Sequence, residues 1–331
     1  MKAIAITNKG IEDVSKQEIK ELINSEAQIH DGFLTFEAAK EELIKLCYLS
    51  QSLTKVLLVD DPAKWVEGKT FAVRGKQECA EPIAAKIQGR VKLKNPDVEF
   101  YAIDEKHWGI DLSGEDLGKR DYRIFLGPES IKGVLAYALI RLAGYNPKKT
   151  LVDPFCRDGI IAIEAAIYSQ KRSSHYFRKD KFNFLKLFPD VNLDKLDKTQ
   201  KKDTIIYAYD PKITSINAAR KNAKIAGIQK NIQFGKIRTD DLELKLKENS
   251  VDCIATIPPL LMKLAESKVI EIYKELFYQA DFILSKKGKI ALLTRPQRTE
   301  LLKKYTDKFK LIDERSVMQG KSEWSILVFE R

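Results

Sequence analysis

The residues of this chain with the clearest chemical meaning lie in L-V-D-P-F-C-R-D-G-I-I-A-I-E-A-A, Leu151–Ala166, where an apolar strand passes through a turn into a helix. A turn of this kind, at the carboxyl end of a parallel strand, can hold a small-molecule cofactor against backbone N–H groups. Arg157 stands where such a turn favours glycine. The segment predicts an α/β enzyme fold with a cofactor site at this turn.

Acidic residues after two later strands could complete that site. Asp210 ends Y-A-Y-D-P, where a carboxylate can accept both hydroxyls of a ribose or, equally well, cap the following helix. Asp240 and Asp241, in T-D-D-L, could bond a purine amino group, although capping a turn is the more common role of an aspartate. Because ligands bind beyond the carboxyl ends of parallel strands, we expect these side chains at one edge of the sheet.

A proline-rich loop follows a further strand that ends at Thr256. It consists of Ile257, Pro258, Pro259 and Leu260. Two prolines make the loop rigid, since each fixes its φ angle, and loops at such strand ends often carry functional groups. The polar side chain that such a loop usually presents is absent here.

Strands and helices must alternate after residue 149 to bring these loops together. That alternation favours a parallel sheet covered on both faces by helices. Two last runs, Leu311–Val317 and Trp324–Glu330, flank Q-G-K-S and predict an antiparallel hairpin that closes the sheet. The apolar runs that predict the parallel strands are Thr150–Asp153, Ile205–Asp210, Ile232–Phe234, Val251–Thr256 and Lys289–Thr294.

The preceding part of the chain is expected to form separate domains, which a length of 331 residues with 44% hydrophobic content allows. Residues 1–62 show the order strand, helix, strand, helix, which is typical of a small α+β layer. Residues 63–117 add a helix and two alternating runs around N-P-D, which predict strand, turn and strand. The apolar stripe of Ile131–Leu142 predicts a helix that packs on the sheet, with Ser130 as its N-cap.

The net charge of +11 at pH 7 is typical of proteins that bind nucleic acid, although a solvated lysine-rich surface is the plain alternative. The segment Lys171–Lys202 holds ten Lys or Arg against four Asp or Glu, interleaved with aromatic residues. These aromatic residues could stack on bases, but we expect most of them to pack the segment onto its domain. The candidate contacts with RNA are Arg74, Lys76, Lys92, Lys94, Arg178 and Lys179.

The cysteines, Cys47, Cys79, Cys156 and Cys253, lie far apart and have neither metal-finger nor disulfide-framework spacing. We expect them to be reduced core thiols and expect no metal site. The start M-K-A-I-A-I-T is too quickly charged for a signal peptide, and no apolar run approaches the roughly 18 residues of a membrane span. These features predict a soluble cytoplasmic protein with no membrane partner.

The motifs D-P-F-C-x-x-G, Y-A-Y-D-P and x-P-P, preceded by V-K-L-K-N-P-D-V-E, together resemble the THUMP-domain class I methyltransferases that modify tRNA. The resemblance covers nearly the whole chain. It makes residues 1–62 a ferredoxin-like domain, 63–117 a THUMP RNA-binding domain, 118–149 a linker with its leading helix, and 150–331 a Rossmann-like methyltransferase domain with a mostly parallel seven-stranded sheet. Arg178–Pro189 resembles the aromatic insertion of the branch that makes N2-methylguanosine.

This resemblance implies S-adenosylmethionine as cofactor, tRNA as partner, and methyl transfer to the exocyclic N2 of a guanosine. In the family the cofactor lies over the turn after the first strand of the methyltransferase domain. Its ribose binds the acidic residue after the second strand, and its adenine lies near an Asp after the third strand. Its fourth motif corresponds to the loop Ile257–Leu260, which makes those residues the candidate catalytic residues. Carried over by position, the cofactor site comprises Asp153, Pro154, Phe155, Cys156, Arg157, Gly159, Asp210, Pro211, Asp240 and Thr256.

Two motifs depart from the family pattern. The fourth motif usually begins with Asn or Asp, which accepts hydrogen bonds from the target amine, and ends with Tyr or Phe, which stacks on the flipped base. Ile257 and Leu260 provide neither group, while a backbone carbonyl at Pro258 could still orient an amine. Arg157 replaces a glycine of the first motif and could either point to solvent or cover the methionine carboxylate.

The missing hydrogen bond and base stack are each worth about 1–3 kcal/mol, so we expect activity to be weakened rather than excluded. A non-catalytic RNA-binding protein on the same scaffold is the alternative that these departures favour. A methyltransferase acting on ribosomal RNA is a further alternative.

Overall fold

The computed structural model describes residues 1–127, 129–197, 204–259, 266–306 and 308–331. Its strands are β1 (Lys2–Thr7), β2 (Gln28–His30), β3 (Phe33–Glu37), β4 (Leu53–Val59), β5 (Thr70–Gly75), β6 (Arg90–Val91), β7 (Val98–Ala102), β8 (Trp108–Asp111), β9 (Leu151–Asp153), β10 (Ile206–Asp210), β11 (Gln233–Lys236), β12 (Val251–Thr256), β13 (Leu284–Thr294), β14 (Lys310–Gln319) and β15 (Ser322–Glu330). Its α-helices are α1 (Glu12–Ile23), α2 (Lys40–Leu49), α3 (Ala63–Val66), α4 (Gln77–Lys86), α5 (Gly133–Leu142), α6 (Ile160–Ser169), α7 (Phe184–Leu187), α8 (Ile213–Ile225), α9 (Glu266–Ile283) and α10 (Thr299–Lys303).

The chain divides into two compact units that interleave in sequence. The first unit comprises Met1–Lys119 and Ser173–Lys198, and the second comprises Arg120–Arg172 and Thr199–Arg331. The basic, aromatic insertion therefore belongs to the unit built from the N-terminal residues, although in sequence it interrupts the region predicted as the methyltransferase domain.

The strands of the first unit pair in the order β2-β3-β1-β4-β8-β7-β5-β6. Strand β4, which the sequence pattern does not predict, joins the two halves of this sheet. Leu57 pairs with Asp111 and Leu58 with Ile110 in antiparallel register. Leu57 and Leu58 are both buried, so this strand is apolar on both faces and lacks a clean alternation. Residues 1–62 and 63–117 thus share one sheet.

Aromatic side chains anchor the insertion in the core of the first unit. Phe182 and Phe184 are buried there, and the backbone N–H of Phe184 donates to the carbonyl of Leu112 at 2.9 Å. Phe188 meets Trp65 edge-on, with ring centroids 5.9 Å apart. These rings pack as expected, but their partner is the first unit rather than the methyltransferase domain.

The second unit confirms the predicted fold class. Its strands are ordered β11-β10-β9-β12-β13-β15-β14. The pairs among β11, β10, β9, β12 and β13 are parallel, while β15 runs antiparallel to both β13 and β14. This is the parallel sheet closed by a C-terminal hairpin that the alternation of elements predicts, and it places the ends of β9, β10 and β12 side by side.

The helix before β9 begins later than its apolar stripe predicts. Helix α5 starts at Gly133 with Lys132 as its N-cap, so the prediction that Ser130 caps it is wrong. The Ser130 hydroxyl instead donates a hydrogen bond to the carboxylate of Asp158, which is buried in the turn after β9. The segment before α5 is thereby fastened to the predicted cofactor turn.

All four cysteines are free and buried, as their spacing predicts. Burial raises the pKa of Cys253 to about 12, so this thiol is protonated and unreactive near neutral pH. Among the described residues, no helix is both long enough and apolar enough to cross a membrane.

Candidate active site

Asp153 ties the ends of β9 and β12 together at the centre of the second sheet. Its Oδ1 accepts a hydrogen bond from the Thr256 hydroxyl at 2.6 Å and one from the Phe155 N–H at 3.2 Å. Burial raises the pKa of Asp153 to about 7, and these hydrogen bonds together with the charge of Arg157 oppose part of that rise. Asp153 and Thr256 therefore fix the two loops that start at these strand ends.

Gly159 allows the turn to lie tightly against helix α8. Its φ is +81°, a left-handed conformation that glycine adopts without strain, and a Cβ at this position would lie 2.8 Å from the Cβ of Ala219. The N–H of Cys156 donates to the carbonyl of Tyr209 at 2.8 Å, which holds the same turn to β10. The left-handed backbone and the close contact with Ala219 therefore both require the glycine that the motif predicts here.

A Gly159→Ala variant should be destabilised by about 2–4 kcal/mol, since it adds overpacking to the cost of a left-handed alanine. Gly320→Ala is the matched control, because Gly320 has a φ of +62° but no atom lies within 4 Å of the place that a Cβ would take. We expect that control to lose only about 1 kcal/mol. Urea unfolding of both variants measures the difference, and equal losses would contradict the packing argument.

Asp210 lies at the end of β10 and faces the turn after β9. Its Oδ2 accepts the backbone N–H of Arg157 at 3.1 Å, and its Oδ1 accepts the N–H of Lys212 at 2.9 Å. The N-cap of α8 is Lys212, so Asp210 does not take the helix-capping role left open by the sequence. Each carboxylate oxygen can accept a further hydrogen bond, which leaves capacity for the two hydroxyls of a ribose.

Asp240 stabilises a turn, which is the alternative to a purine contact that the sequence also allowed. It lies in a 3₁₀ turn, Thr239–Leu244, where its two oxygens accept hydrogen bonds from Arg238 at 2.9 and 2.7 Å. Those bonds hold the pKa of Asp240 below its ordinary value. The N–H of Asp241 donates to the carbonyl of Arg238 at 3.1 Å, within the same turn.

Arg157 points into the protein. Its φ is +48° and its side chain is only 14% exposed, so the alternative in which it points to solvent is wrong. Its Nη2 donates to Oε2 of Glu129 at 2.9 Å and to the carbonyl of Pro258 at 3.3 Å. Its buried Nη1 has no hydrogen-bond partner among the described residues.

Glu129 is the site residue that sequence reasoning missed. It precedes Ser130 in G-P-E-S, and the only sequence feature that could have pointed to a functional role is a carboxylate next to a proline. Like Arg157 it is a non-glycine residue in the left-handed region, with a φ of +64°. Such conformations are uncommon outside glycine and concentrate at functional sites.

The proline-rich loop presents its backbone and an apolar wall. Ile257 is buried at 3% exposure, Pro258 is buried, and Pro259 is half-buried. Leu260 lies outside the described residues. The carbonyl of Pro258 is engaged by Arg157, so the predicted acceptor for an amine is in contact with the turn after β9.

Residues 120–325 match the family model described as an RMKL-like methyltransferase domain. The chain belongs to the RMKL-like methyltransferase family. Residues 2–57 match an RlmL ferredoxin-like domain, which confirms the predicted ferredoxin-like fold of the N-terminal part. Membership of this methyltransferase family confirms the predicted cofactor, S-adenosylmethionine.

Two curated relatives of this methyltransferase are named for RNA substrates. A tRNA (guanine(6)-N2)-methyltransferase from Methanocaldococcus jannaschii is 25% identical over 94% of this chain and 95% of the relative. A ribosomal RNA large subunit methyltransferase K/L from Buchnera aphidicola is 33% identical over 56% of this chain and 29% of the relative.

Solved structures share the fold of this methyltransferase over nearly its full length. TrmN from Thermus thermophilus aligns with a TM-score of 0.69 at 23% identity, covering 100% of this chain and 99% of the other. SMU.472, solved in a complex with SAH, aligns with a TM-score of 0.74 at 19% identity, covering 99% and 97%. At these identities the likeness concerns the fold.

The residues at the turn after β9 suit S-adenosylmethionine. The cofactor carries ribose hydroxyls, which match the free acceptor capacity of Asp210. It also carries a carboxylate, and the buried Nη1 of Arg157 is a cationic donor without a partner among the described residues. The donor and acceptor set of this methyltransferase therefore fits its cofactor.

The predicted RNA contacts of the methyltransferase fall into two groups. Lys76, Lys92 and Lys94 are exposed, and Arg74 is half-buried with its Nε 3.5 Å from Oε2 of Glu99. Arg74 and Lys94 line a cleft of about 510 Å³ in the first unit. Its basic lining residues are Arg74, Lys94, Lys181 and Lys186.

Arg178 and Lys179 form contacts inside the first unit. Arg178 is 3% exposed, and its Nη2 lies 3.5 Å from Oε2 of Glu115. Lys179 donates to Oδ1 of Asp194 at 2.5 Å and also pairs with Asp197. Arg178 joins the insertion to Glu115, whereas Lys179 links two parts of the insertion to each other. The burial of Arg178 does not fit a surface contact with RNA.

Proposed function

We propose that this methyltransferase transfers a methyl group from S-adenosylmethionine to the exocyclic N2 of a guanosine in tRNA. The observation that carries the proposal is the position of Arg157, whose backbone N–H donates to Asp210 while its guanidinium donates to the carbonyl of Pro258. One residue thus links the proposed ribose acceptor to the proposed substrate acceptor. A cofactor and a base held at these two points would lie next to each other.

The protein's task in this reaction is positioning. S-adenosylmethionine supplies an electrophilic methyl carbon, so correct alignment of the accepting nitrogen gives most of the rate enhancement. Asp210 would hold the ribose, the turn from Asp153 to Gly159 would hold the remaining cofactor, and the carbonyl of Pro258 would orient the amine. Buried Ile257 would help to exclude water from the reacting atoms.

The preference for tRNA rests on the relative from Methanocaldococcus jannaschii, which is named for tRNA and aligns over 94% of this chain. We propose that residues 63–117 form a THUMP domain and that its exposed cations contact phosphates. Lys76, Lys92 and Lys94 are the candidates that the structure leaves at the surface. Binding through such cations should weaken steeply as salt rises.

Incubation of the purified protein with unmodified tRNA and methyl-labelled S-adenosylmethionine tests the proposal. Mass spectrometry of the digested nucleosides should find label in N2-methylguanosine. Asp210→Asn should lower cofactor affinity by about 10- to 100-fold, since hydrogen bonds to a charged group contribute about 1.5–3 kcal/mol.

Ribosomal RNA forms the second arm of this experiment, because the Buchnera aphidicola relative is named for it. Label found in ribosomal RNA and absent from tRNA would overturn the choice of substrate. Binding of S-adenosylmethionine without label in either RNA would favour the non-catalytic RNA-binding alternative, which the lack of a polar side chain at Ile257 supports.

A further inference from the structure

One nitrogen of Arg157 satisfies two acceptors at the candidate substrate site. Its Nη2 lies 2.9 Å from Oε2 of Glu129 and 3.3 Å from the carbonyl oxygen of Pro258. An exocyclic amine of a nucleobase also has two N–H donors on a single nitrogen. The two acceptors are therefore already spaced to receive such an amine.

We propose that Glu129 and the carbonyl of Pro258 together accept the hydrogen bonds of the target guanine amine, and that Arg157 occupies their place until the base enters. This inference rests on the proposed function and names the residue that replaces the acceptor missing at Ile257. The guanidinium of Arg157 has the same N–C–N arrangement as N1, C2 and N2 of guanine, so it occupies the acceptors as a chemical analogue of the base.

The carboxylate of Glu129 selects guanine over adenine. Guanine presents N1–H and N2–H side by side, and a carboxylate accepts both. Adenine presents its amine beside N1, which is an acceptor and repels a carboxylate. The choice between the two purines therefore follows from the charge of Glu129.

Other carboxylates around the turn are held by backbone N–H groups or by short hydroxyl side chains. Asp210 accepts two backbone N–H groups, Asp153 accepts the Thr256 hydroxyl, and Asp158 accepts the Ser130 hydroxyl. The partner of Glu129 is a long flexible side chain rather than backbone, so this pair can separate when a competing donor arrives. The side chain of Glu129 is 27% exposed, which leaves it open to a ligand.

Glu129 also has a place in the chemistry. It holds a proton of the amine, and it receives that proton as N2 bonds to the methyl carbon and the carbon–sulfur bond breaks with its electron pair on sulfur. Arg157 must leave both acceptors for this step, because its Nη2 and the amine cannot occupy one position.

Binding of guanosine monophosphate and inosine monophosphate to the protein without cofactor provides the test, since inosine lacks only the 2-amino group. Arg157→Gly frees both acceptors, and a φ of +48° suits glycine. We expect this variant to bind the guanosine nucleotide about tenfold more tightly than the inosine nucleotide in a titration followed by NMR. Adding Glu129→Ala should lower that preference, because only the carbonyl of Pro258 is then left to accept the amine.

Glu300→Ala is the control, since this glutamate is 79% exposed and pairs with Lys303 in α10. Adding it to Arg157→Gly should leave the preference intact. Arg157→Ala serves as a second variant if the glycine variant does not fold. Equal binding of the two nucleotides to folded Arg157 variants, or a preference that Glu129→Ala leaves undiminished, would overturn the inference.

Methyl transfer by Glu129→Gln separates this inference from the proposed function. We expect its turnover number to fall at least tenfold while its affinity for S-adenosylmethionine stays unchanged. A Glu129-dependent nucleotide preference in a protein that methylates no RNA would support the inference and refute the proposed function. Unchanged turnover in Glu129→Gln, with N2-methylguanosine formed, would refute the inference and support the proposed function.

Discussion

Replacing Glu164 with alanine should lower the free energy of unfolding of the second unit by about 3–5 kcal/mol. The Glu164 and Arg120 side chains are both fully buried, with Nε to Oε1 at 2.7 Å and Nη2 to Oε2 at 3.1 Å. The Tyr122 hydroxyl donates to the same carboxylate. The loss is large because the variant leaves a buried guanidinium without this counter-charge.

Glu300→Ala is the matched control, since it breaks a Glu–Lys pair in which the glutamate is 79% exposed. Exposed pairs contribute about 0–1 kcal/mol, so this variant should unfold nearly as the wild type does. Of the three tryptophans in the chain, Trp324 alone lies in the second unit. Its fluorescence during urea unfolding, in a Trp65→Phe and Trp108→Phe background, reports that unit separately. A loss below about 1 kcal/mol in Glu164→Ala would refute the role given to the pair.

Asp153→Asn should remove a pH dependence from the stability of the second unit. Burial raises the pKa of Asp153 to about 7, whereas in the unfolded chain this carboxyl loses its proton near pH 4. The folded state therefore holds one more proton between these values, and the stability contributed by Asp153 is full below about pH 4 and lost as pH rises through about 7.

The wild type should lose about 1.4 kcal/mol per pH unit relative to Asp153→Asn across this window. Urea unfolding of both proteins from pH 4.5 to 8.5 measures the difference, again through Trp324. Above about pH 8 the difference should be constant, which provides an internal control. A difference that is constant across the whole range would show that Asp153 is ionised in the folded protein.

Much of the second unit could be predicted from local sequence pattern. Buried parallel strands are continuous apolar runs, and the runs ending at Asp153, Asp210 and Thr256 end at those residues in the structure. The hairpin β14–β15 is equally clear, because two apolar runs flank a short polar turn. Strand β4 escapes such a prediction because it is antiparallel to both neighbours, yet Val56, Leu57 and Leu58 are buried in succession without a period of two.

The candidate site was predictable only where a motif fixes the backbone. Asp153, Gly159 and Asp210 could be placed at the turn because strand ends and a tight turn constrain them. The direction of the Arg157 side chain could not be predicted, since a long flexible side chain has many rotamers and its partners lie 28 and 101 residues away.

The sequence by itself determined the fold class, the positions of the parallel strands along the chain and the position of the cofactor turn. These features depend on short-range periodicity and on backbone stereochemistry. Only the tertiary structure decided that the aromatic insertion packs in the first unit and that Arg157 and Glu129 meet at the carbonyl of Pro258. Such contacts join residues distant in sequence, and burial and charge pairing become defined only when the folded chain brings them together.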